Sequence, residues 1–282
     1  MSRASRDGFR PRFFVTQGGS GVNGAEKSVT SRPDGLEVAL DADDSHHVST
    51  VLRLRLGDEC EVVLVPSGEV HLARVAKLGS PVLLTLGARL EGDDAGARYR
   101  REVWLVQGLA RPAVVDYLIE KGTETGASRF LLVSCAGSPR LPDGSVAGRL
   151  ARWRKLAREA AKQSKQVAIP SVHFVASLED ALAQVGRAGA RSVFLDPRAD
   201  MALDELVRGL AGSAAFGEGT GGQHESAAIA LWVGPESGWS EHEYERLRAA
   251  GVEAARLGRS VLRTETAGPV AVALVRLGLR DW

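Results

Sequence analysis

The stretch GPESG at residues 234–238 and the stretch LGRSVLRTETA at residues 257–267 decide the fold of this chain. Each follows an apolar run that predicts a buried strand, Ala228 to Val233 and Val252 to Leu257, and each leads into a predicted helix. In an open α/β sheet, ligands bind at the carboxyl ends of the strands, so we expect both loops to border one site. Two glycines and a proline let the backbone of the first loop approach a ligand closely.

The two loops suit a nucleotide-like ligand that is held through backbone groups. Neither loop contains the G-x-G-x-x-G pattern or a P-loop lysine, so the usual dinucleotide and triphosphate fingerprints are absent there. Glu236 and Glu265 lie beside the loops, and each is a candidate base or hydrogen-bond acceptor. The alternative is that they cap helix N-termini, where the helix dipole favours a carboxylate. We favour capping for Glu236, and for Glu265 both interpretations stand.

Composition narrows the class of protein. The chain has 282 residues, which is long enough for two domains. Its formal net charge of +1 means that any nucleic-acid binding must come from local patches. Two distant cysteines, Cys60 and Cys135, and the lack of zinc-type spacing indicate a cytosolic, metal-free protein. No apolar stretch has transmembrane length and no signal peptide is evident, so we expect a cytoplasmic location and no membrane partner.

In residues 1–92, short β-type runs alternate with turns rich in Gly, Pro, Ser and Asp. This pattern predicts a small β-barrel-like domain. The first strand is predicted at Arg12–Val15. The stretch from Gln17 to Gly35, rich in Gly, Ser and Asn, is expected to be a mobile surface loop. The remaining predicted elements are the strands Leu36–Leu40, Glu59–Val65, Val70–Leu78 and Val82–Leu90 and the helix Ser45–Leu54.

A linker is predicted at Glu91–Gly96, and residues 98–282 predict a second, α/β domain. Strands alternate there with helices, which favours a mostly parallel sheet covered by helices. Ser240 and Glu243 form a capping box that starts a helix, and the Gly-rich stretch Ala214–Ser226 is expected to be flexible. The other predicted elements are the strands Glu102–Gln107, Phe130–Ser134 and Ser192–Leu195 and the helices Ala113–Gly122, Val146–Lys165 and Leu203–Leu210.

The predicted helix ending at Lys165 carries a basic face, formed by Arg154, Lys155, Arg158, Lys162 and Lys165. Its opposite face is apolar and small, so a solvated face is one interpretation of the charge. The other is phosphate contact, since only Glu159 interrupts the basic run. Together with Arg3, Arg6, Arg10 and Arg12, these side chains would form a basic groove for an RNA backbone.

These motifs resemble those of the RsmE family, the SPOUT-class enzymes that methylate N3 of a uridine in bacterial small-subunit ribosomal RNA. The two loops are similar to the family's G-P-E-G-G and L-G-x-R-I-L-R-x-E-T-A motifs, with Ser237 and Trp239 as departures. The resemblance extends in order over nearly the whole chain. Matching stretches are Arg12–Phe14, His47–Arg53 with Gly57-Asp58, Gln107-Gly108, Lys121–Gly126 and Arg152–Ser164, while Arg111-Pro112, Ser134–Ala136 and Lys165 depart from the pattern.

The resemblance implies a PUA-like N-terminal domain and a C-terminal domain with a trefoil knot. It also implies a homodimer with the active site at or near the subunit interface, and S-adenosylmethionine bound in the knot. Adenine would then lie between the loops. The cofactor-binding residues implied are Leu231, Gly234, Pro235, Glu236, Gly238, Leu257, Gly258, Val261, Leu262 and Thr264.

The resemblance also suggests roles for charged residues. Arg263 would stabilise the negative charge that spreads over the uracil oxygens as N3 loses its proton. Glu265 would accept that proton or hold Arg263 in place. Ribosomal RNA, in an assembled small-subunit particle, would be bound by Arg12, Arg53, Arg154, Arg158, Lys162 and Lys165. The alternatives are a methyltransferase of this fold acting on another RNA position and a non-catalytic RNA-binding protein.

Overall fold

The computed structural model describes residues 10–16, 29–32, 35–97, 99–142, 144–211 and 228–282. The chain divides into two compact units: Met1–Arg98 with Lys162–Ala168, and Tyr99–Ala161 with Ile169–Trp282. The segment Lys162–Ala168 lies within the predicted second domain, whereas its contacts place it in the first unit. Arg3, Arg6 and the predicted flexible stretch Ala214–Ser226 lie outside the described residues.

The first unit is built on a six-stranded sheet with the order β1-β4-β5-β6-β3-β2. Only the β1–β4 pair is parallel; the other neighbours are antiparallel. The elements are β1 Arg12–Thr16, β2 Val29–Arg32, β3 Gly35–Ala39, α1 Ala42–His46, β4 Glu59–Val65, β5 Glu69–Lys77 and β6 Leu83–Leu90.

The core of the first unit follows from the two-residue period of its strands. Alternate residues such as Phe13 and Val15 on β1, and Val62 and Leu64 on β4, point to one face and pack into a single buried cluster. This burial stabilises the sheet, at roughly 25 cal/mol per Å² of apolar surface removed from water.

Two expectations for the first unit are wrong. The stretch predicted as a loop contains the strand β2 at Val29–Arg32 and the first residue of β3, while residues 17–28 and 33–34 lie outside the described residues. The predicted helix Ser45–Leu54 is two elements, because α1 ends at His46 and a π-helical turn covers His47–Leu52.

The second unit contains a six-stranded parallel sheet with the order β12-β10-β11-β7-β8-β9. The prediction of a parallel α/β sheet is confirmed, although β9 and α4 were not predicted. The elements are β7 Val103–Gly108, α2 Pro112–Glu124, β8 Arg129–Val133, α3 Ser145–Gln163, β9 Ser171–Val175, α4 Leu178–Arg187, β10 Arg191–Leu195, α5 Leu203–Ala211, β11 Ile229–Val233, α6 Glu241–Ala249, β12 Glu253–Ala255 and α7 Thr264–Gly278.

Both faces of the parallel sheet are buried, each against its own cluster of apolar side chains. This explains why β7 and β11 read as continuous apolar runs, since strands covered on both faces need no polar alternation. Strand β10 lies between β11 and β12, so the loops that follow the carboxyl ends of these three parallel strands lie side by side. GPESG and LGRSVLRTETA are two of these loops.

A buried ion pair fixes the C-terminus of the second unit. The Arg276 guanidinium is fully buried, donates to Asp281 Oδ2 at 2.6 Å and also donates to the carbonyls of Arg101 and Gly126. Asp281 in turn accepts from the backbone N–H groups of Arg100 and Arg101.

Within the described residues, no helix has the length and hydrophobicity to span a bilayer.

Candidate active site

A cavity of about 270 Å³ opens at the carboxyl ends of β10, β11 and β12. The expectation that both loops border one site is confirmed, because residues of both line this cavity. The lining residues are Leu195, Asp196, Pro197, Val233, Gly234, Pro235, Glu236, Ser237, Gly238, Trp239, Tyr244, Leu257, Gly258, Ser260, Val261, Leu262, Arg263, Thr264 and Ala267.

Leu231 is a correction among the predicted cofactor-binding residues. The other predicted positions line the cavity, but Leu231 lies in the middle of β11 and is fully buried in the core of the unit. Its side chain packs on the face of the sheet, whereas the cavity lies at the strand ends. Sequence position alone did not distinguish these two environments.

The first loop has its glycines where the backbone is crowded. A Cβ on Gly108 would lie 2.5 Å from Cδ of Pro235, and one on Gly234 would lie 3.1 Å from the carbonyl carbon of Gly238. Gly238 has a φ of +76°, in the region that favours glycine. The departure at Ser237 is accommodated by Gly137, where a Cβ would lie 1.9 Å from Ser237 Oγ.

A buried glutamine ties the first loop to the start of α7. Gln107 Nε2 donates to the carbonyl of Gly234 and to Thr264 Oγ1, both at 2.9 Å. The Thr264 hydroxyl donates to the same carbonyl at 2.6 Å. The sequence analysis did not select Gln107 as a site residue, although one polar residue near the end of an apolar strand was a usable signal.

The cavity wall also includes residues that were not predicted from the sequence. Asp196 and Pro197 follow β10, and Tyr244 belongs to α6. Burial, and next the charge of Asp196, raise the pKa of Tyr244, so its hydroxyl stays neutral at pH 7. Applying the strand-end rule to the predicted strand Ser192–Leu195 would have found Asp196.

Arg263 and Glu265 lie at the start of α7. Arg263 is the N-cap residue, lines the cavity and exposes 88% of its side chain. Its Nη1 lies 4.0 Å from Oε1 of Glu265. Glu265 occupies the first helical turn, where the helix dipole favours a carboxylate. The arrangement presents a guanidinium to the cavity with a carboxylate beside it.

Glu236 lines the cavity but does not cap the helix that follows it, because α6 begins with the capping box of Ser240 and Glu243. Instead, it accepts from Arg111 Nε at 2.7 Å and approaches the Arg111 backbone N–H at the start of α2. Burial acts to raise the pKa of Glu236, but the hydrogen bonds and charge of Arg111 outweigh it and lower the pKa below its ordinary value.

Arg12 is the main correction among the predicted RNA-binding residues. Its side chain is buried, its Nε donates to Glu61 at 2.9 Å, and its other nitrogens donate to the carbonyls of Ala95, Lys165 and Gln166. These partners occupy the guanidinium, so it cannot also bind a phosphate. Its role is to hold the first unit together.

The other predicted RNA-binding residues differ in exposure. Lys162 is largely buried and pairs with Asp44, while the half-buried Lys165 pairs with Glu61 at 2.8 Å. Burial, followed by the neighbouring arginines, lowers the pKa of Lys165 despite that pair. Among the six, Arg53 in the first unit and Arg154 in the second are exposed, although Arg154 Nε donates to the carbonyl of Val172 at 3.2 Å, and Arg158 is half-buried.

The lining of the cavity fits a nucleoside-like ligand. Pro235, Val261 and Leu262 offer apolar surface, and serine, threonine and tyrosine hydroxyls offer polar contacts. Trp239 lines the cavity, and its buried Nε1 donor has no hydrogen-bond partner within the described residues. A bound group with a hydrogen-bond acceptor would satisfy it.

Two protein families match the sequence of this chain. The family described as RNA methyltransferase domain matches residues 97–276, and the RNA methyltransferase PUA domain matches residues 40–81. The fold and the site therefore define an RNA methyltransferase with an associated PUA domain. A relative from Mycobacterium bovis, ribosomal RNA small subunit methyltransferase E, is 32% identical over 261 residues, with 90% of this chain and 92% of the relative covered. The chain belongs to the ribosomal RNA small subunit methyltransferase E family.

Two solved structures share the fold. Ribosomal RNA small subunit methyltransferase E from Neisseria gonorrhoeae, bound to S-adenosylmethionine, has a TM-score of 0.74 and 23% identity. The putative methyltransferase of Legionella pneumophila, also in complex with S-adenosylmethionine, has a TM-score of 0.75 and 18% identity. Each similarity covers 95% of this chain and 98% of the other.

Proposed function

We propose that this protein transfers a methyl group from S-adenosylmethionine to N3 of one uridine in bacterial small-subunit ribosomal RNA. The observation that carries the proposal is the cavity between the GPESG and LGRSVLRTETA loops, with the exposed guanidinium of Arg263 in its wall. Membership of the family supports the reaction class, and the resemblance of the loops to the family motifs supports the uridine N3 position.

The cavity walls would hold the cofactor. Pro235, Val261 and Leu262 would pack against adenine, and backbone groups of Gly234 and Leu257 would bond to it. Bound S-adenosylmethionine supplies an electrophilic methyl group, so the chain itself need only orient the two reactants and assist loss of a proton. The pKa of the Cys135 thiol is raised to about 12, mainly by burial, so this thiol is not a nucleophile at neutral pH.

Arg263 is proposed as the catalytic residue that stabilises charge on the uracil. When N3 loses its proton, negative charge spreads to the carbonyl oxygens, and a permanently protonated guanidinium offers fixed donors to them. We propose that Glu265 holds this guanidinium, because the two side chains lie 4.0 Å apart and the carboxylate sits in the first turn of α7. Transfer of the proton to Glu265, directly or through water, is the second role to be tested.

We propose a homodimer and a trefoil knot in the second unit, both as the family resemblance implies. Three exposed apolar side chains on the packed helices α2 and α7 support the dimer: Tyr117, Val270 and Leu277. A second copy of the chain covering these side chains would remove them from water. We further propose that the protein acts in the cytoplasm.

The RNA contacts are proposed for the exposed basic side chains, Arg53 in the first unit and Arg154 in the second, with Arg158 beside the latter. Guanidinium groups of this kind bind phosphates and would position the RNA without reading its bases. The proposed substrate is the assembled small subunit.

Methyl transfer from labelled S-adenosylmethionine to unmodified small subunits would test the function, with the product nucleoside identified by mass spectrometry. The expected product is 3-methyluridine at a single site. A different methylated nucleoside would contradict the N3 assignment while keeping the reaction class. Failure to bind S-adenosylmethionine would contradict the proposed methyltransferase activity and favour a non-catalytic RNA-binding protein. Free ribosomal RNA, assayed in parallel, tests whether assembly is required.

A further inference from the structure

Asp196 is a buried carboxylate in the wall of the cavity. It directly follows β10, which lies between β11 and β12 in the sheet, so it is placed between the two loops that the family motifs identify. The residue is only 2% exposed in the absence of a ligand. The other carboxylate lining the cavity, Glu236, extends from the first loop and pairs with Arg111.

The hydrogen bonds of Asp196 leave part of its acceptor capacity unused. Oδ1 accepts from the backbone N–H of Arg198 at 2.9 Å and from Arg198 Nε at 3.1 Å. Oδ2 accepts from Arg198 Nη2 at 3.3 Å, a long contact. Because a carboxylate has about four acceptor sites, Oδ2 retains capacity for a further donor.

Arg198 holds this carboxylate from the solvent side. Its guanidinium stacks on the ring of Tyr244, 4.5 Å from the ring centroid, and 61% of its side chain is exposed. Arg198 does not line the cavity, whereas Asp196 and Tyr244 do. The ion pair therefore fixes the carboxylate without placing the cation in the ligand's path.

We infer that Asp196 recognises the ribose of the adenosine part of the cofactor by accepting a hydrogen bond from one of its hydroxyl groups, an inference that rests on the proposed function. A ribose diol offers two O–H donors, and a carboxylate beside a strand end is the type of group that nucleotide-binding α/β proteins use for them. Arg198 is a positioning residue that keeps Oδ1 occupied and the side chain fixed. Asp196 thus selects a ribonucleoside over a deoxyribonucleoside.

Binding of S-adenosylhomocysteine and of its 2′-deoxy and 3′-deoxy analogues, measured by calorimetry, tests the inference. Wild-type protein is expected to bind S-adenosylhomocysteine at least about 10-fold more tightly than one deoxy analogue, since a hydrogen bond to a charged acceptor has this magnitude. In Asp196→Asn the carbonyl oxygen can still accept from the Arg198 N–H, so the loop is retained. The preference for the hydroxyl is expected to fall to within about 3-fold, because the charge is lost.

Asp204→Asn is the matched control, because Asp204 belongs to an exposed ion pair on α5 and does not line the cavity. It is expected to keep the wild-type preference. Equal binding of all three ligands by wild type, or an unchanged preference in Asp196→Asn, would overturn the ribose assignment alone. Wild type that binds none of them would overturn the proposed function as well. The wild-type comparison decides the matter even if Asp196→Asn does not fold.

Discussion

Arginine–glutamate pairs occur in both units, in opposite environments. In the first unit Arg12 and Glu61 expose 1% and 9% of their side chains, and every guanidinium nitrogen of Arg12 has a partner. At the cavity of the second unit, Arg263 exposes 88% of its side chain beside Glu265. The same residue types thus build structure in one place and line a cavity in the other.

The difference shows that residue type alone does not separate an arginine whose donors are occupied from one that is exposed at a cavity. Arg12 fits the basic-groove pattern in the sequence as well as Arg53 does, yet its donors are consumed by Glu61 and three backbone carbonyls. A buried charge that lost these partners would be strongly unfavourable. The contacts of Arg12 within the first unit explain why a charged side chain is found at this buried position.

Removing Arg12 should have the largest effect on stability. Arg12→Met would leave the buried Glu61 with Lys165 as its one ionic partner among the described residues, and we expect the free energy of unfolding to fall by about 3–5 kcal/mol. Urea denaturation would measure it. Arg10→Ala is the control, because the Arg10–Glu59 pair is exposed and should contribute at most about 1 kcal/mol.

Because Glu61 also pairs with Lys165, the triple variant Arg12→Met, Glu61→Met and Lys165→Met sharpens this test. Replacing all three charges with apolar side chains should restore part of the lost stability, since a buried set of ion pairs contributes little net free energy over well-packed apolar groups. A single variant as stable as wild type would show that Arg12 is not the structural residue inferred here.

Arg263→Ala should have the largest effect on catalysis. We expect kcat to fall about 10²–10³-fold, the usual loss when a donor to a developing oxyanion is removed. The dissociation constant for S-adenosylmethionine should change by less than about 3-fold, because the cofactor contacts lie in the backbone and apolar walls. Stopped reactions with saturating RNA and calorimetry separate the two quantities.

Arg259→Ala is the matched control for Arg263, because Arg259 is exposed in the same loop and does not line the cavity. It should leave kcat unchanged. Arg263→Lys should recover only part of the rate, since an ammonium group cannot reproduce the guanidinium fork. Parallel losses of turnover and cofactor affinity in Arg263→Ala would assign Arg263 to cofactor binding instead.

The smallest effect is expected for Arg111, through the pH dependence of stability. The pKa of Glu236 is lowered in the folded protein, so its pair with Arg111 stabilises the fold above the ordinary carboxyl pKa of 4.5. That contribution should be lost as the pH falls through the lowered pKa. The unfolding midpoints of wild type and Arg111→Ala should therefore converge on acidification, and ¹³C NMR should show a higher Glu236 pKa in the variant. Unfolding midpoints that diverge at low pH would contradict a stabilising ion pair between Arg111 and Glu236.

Much of the fold was available in the sequence because local patterns specify it. Strand β4 has the predicted bounds Glu59–Val65, since an apolar run lies between clear turn signals. The two motif loops and the capping box at Ser240 were equally readable. Strand β9 and helix α4 were missed despite a local signal, since Ser177 caps α4 and Glu179 and Asp180 occupy its first turn.

The rest depends on contacts between distant segments. Asp196 becomes a cavity residue only because β10 is inserted between β11 and β12, a strand order that no local pattern encodes. The burial of Arg12 likewise requires the carbonyls of Lys165 and Gln166, more than a hundred positions away in sequence. Leu231 is the opposite case: it is close to the first loop in sequence, yet its side chain packs in the core and not at the cavity.

The segment Lys162–Ala168 has a consequence for the order of events during synthesis. The first unit is discontinuous in sequence, and the partners of Arg12 and Asp44 in that segment follow residues 99–161. At about 5–20 residues per second, a ribosome needs seconds to make the intervening stretch. During that interval Arg12 lacks the carbonyls of Lys165 and Gln166, and Asp44 lacks the ammonium group of Lys162. Completion of the first unit on the ribosome must therefore wait until residues 99–161 of the second have been translated.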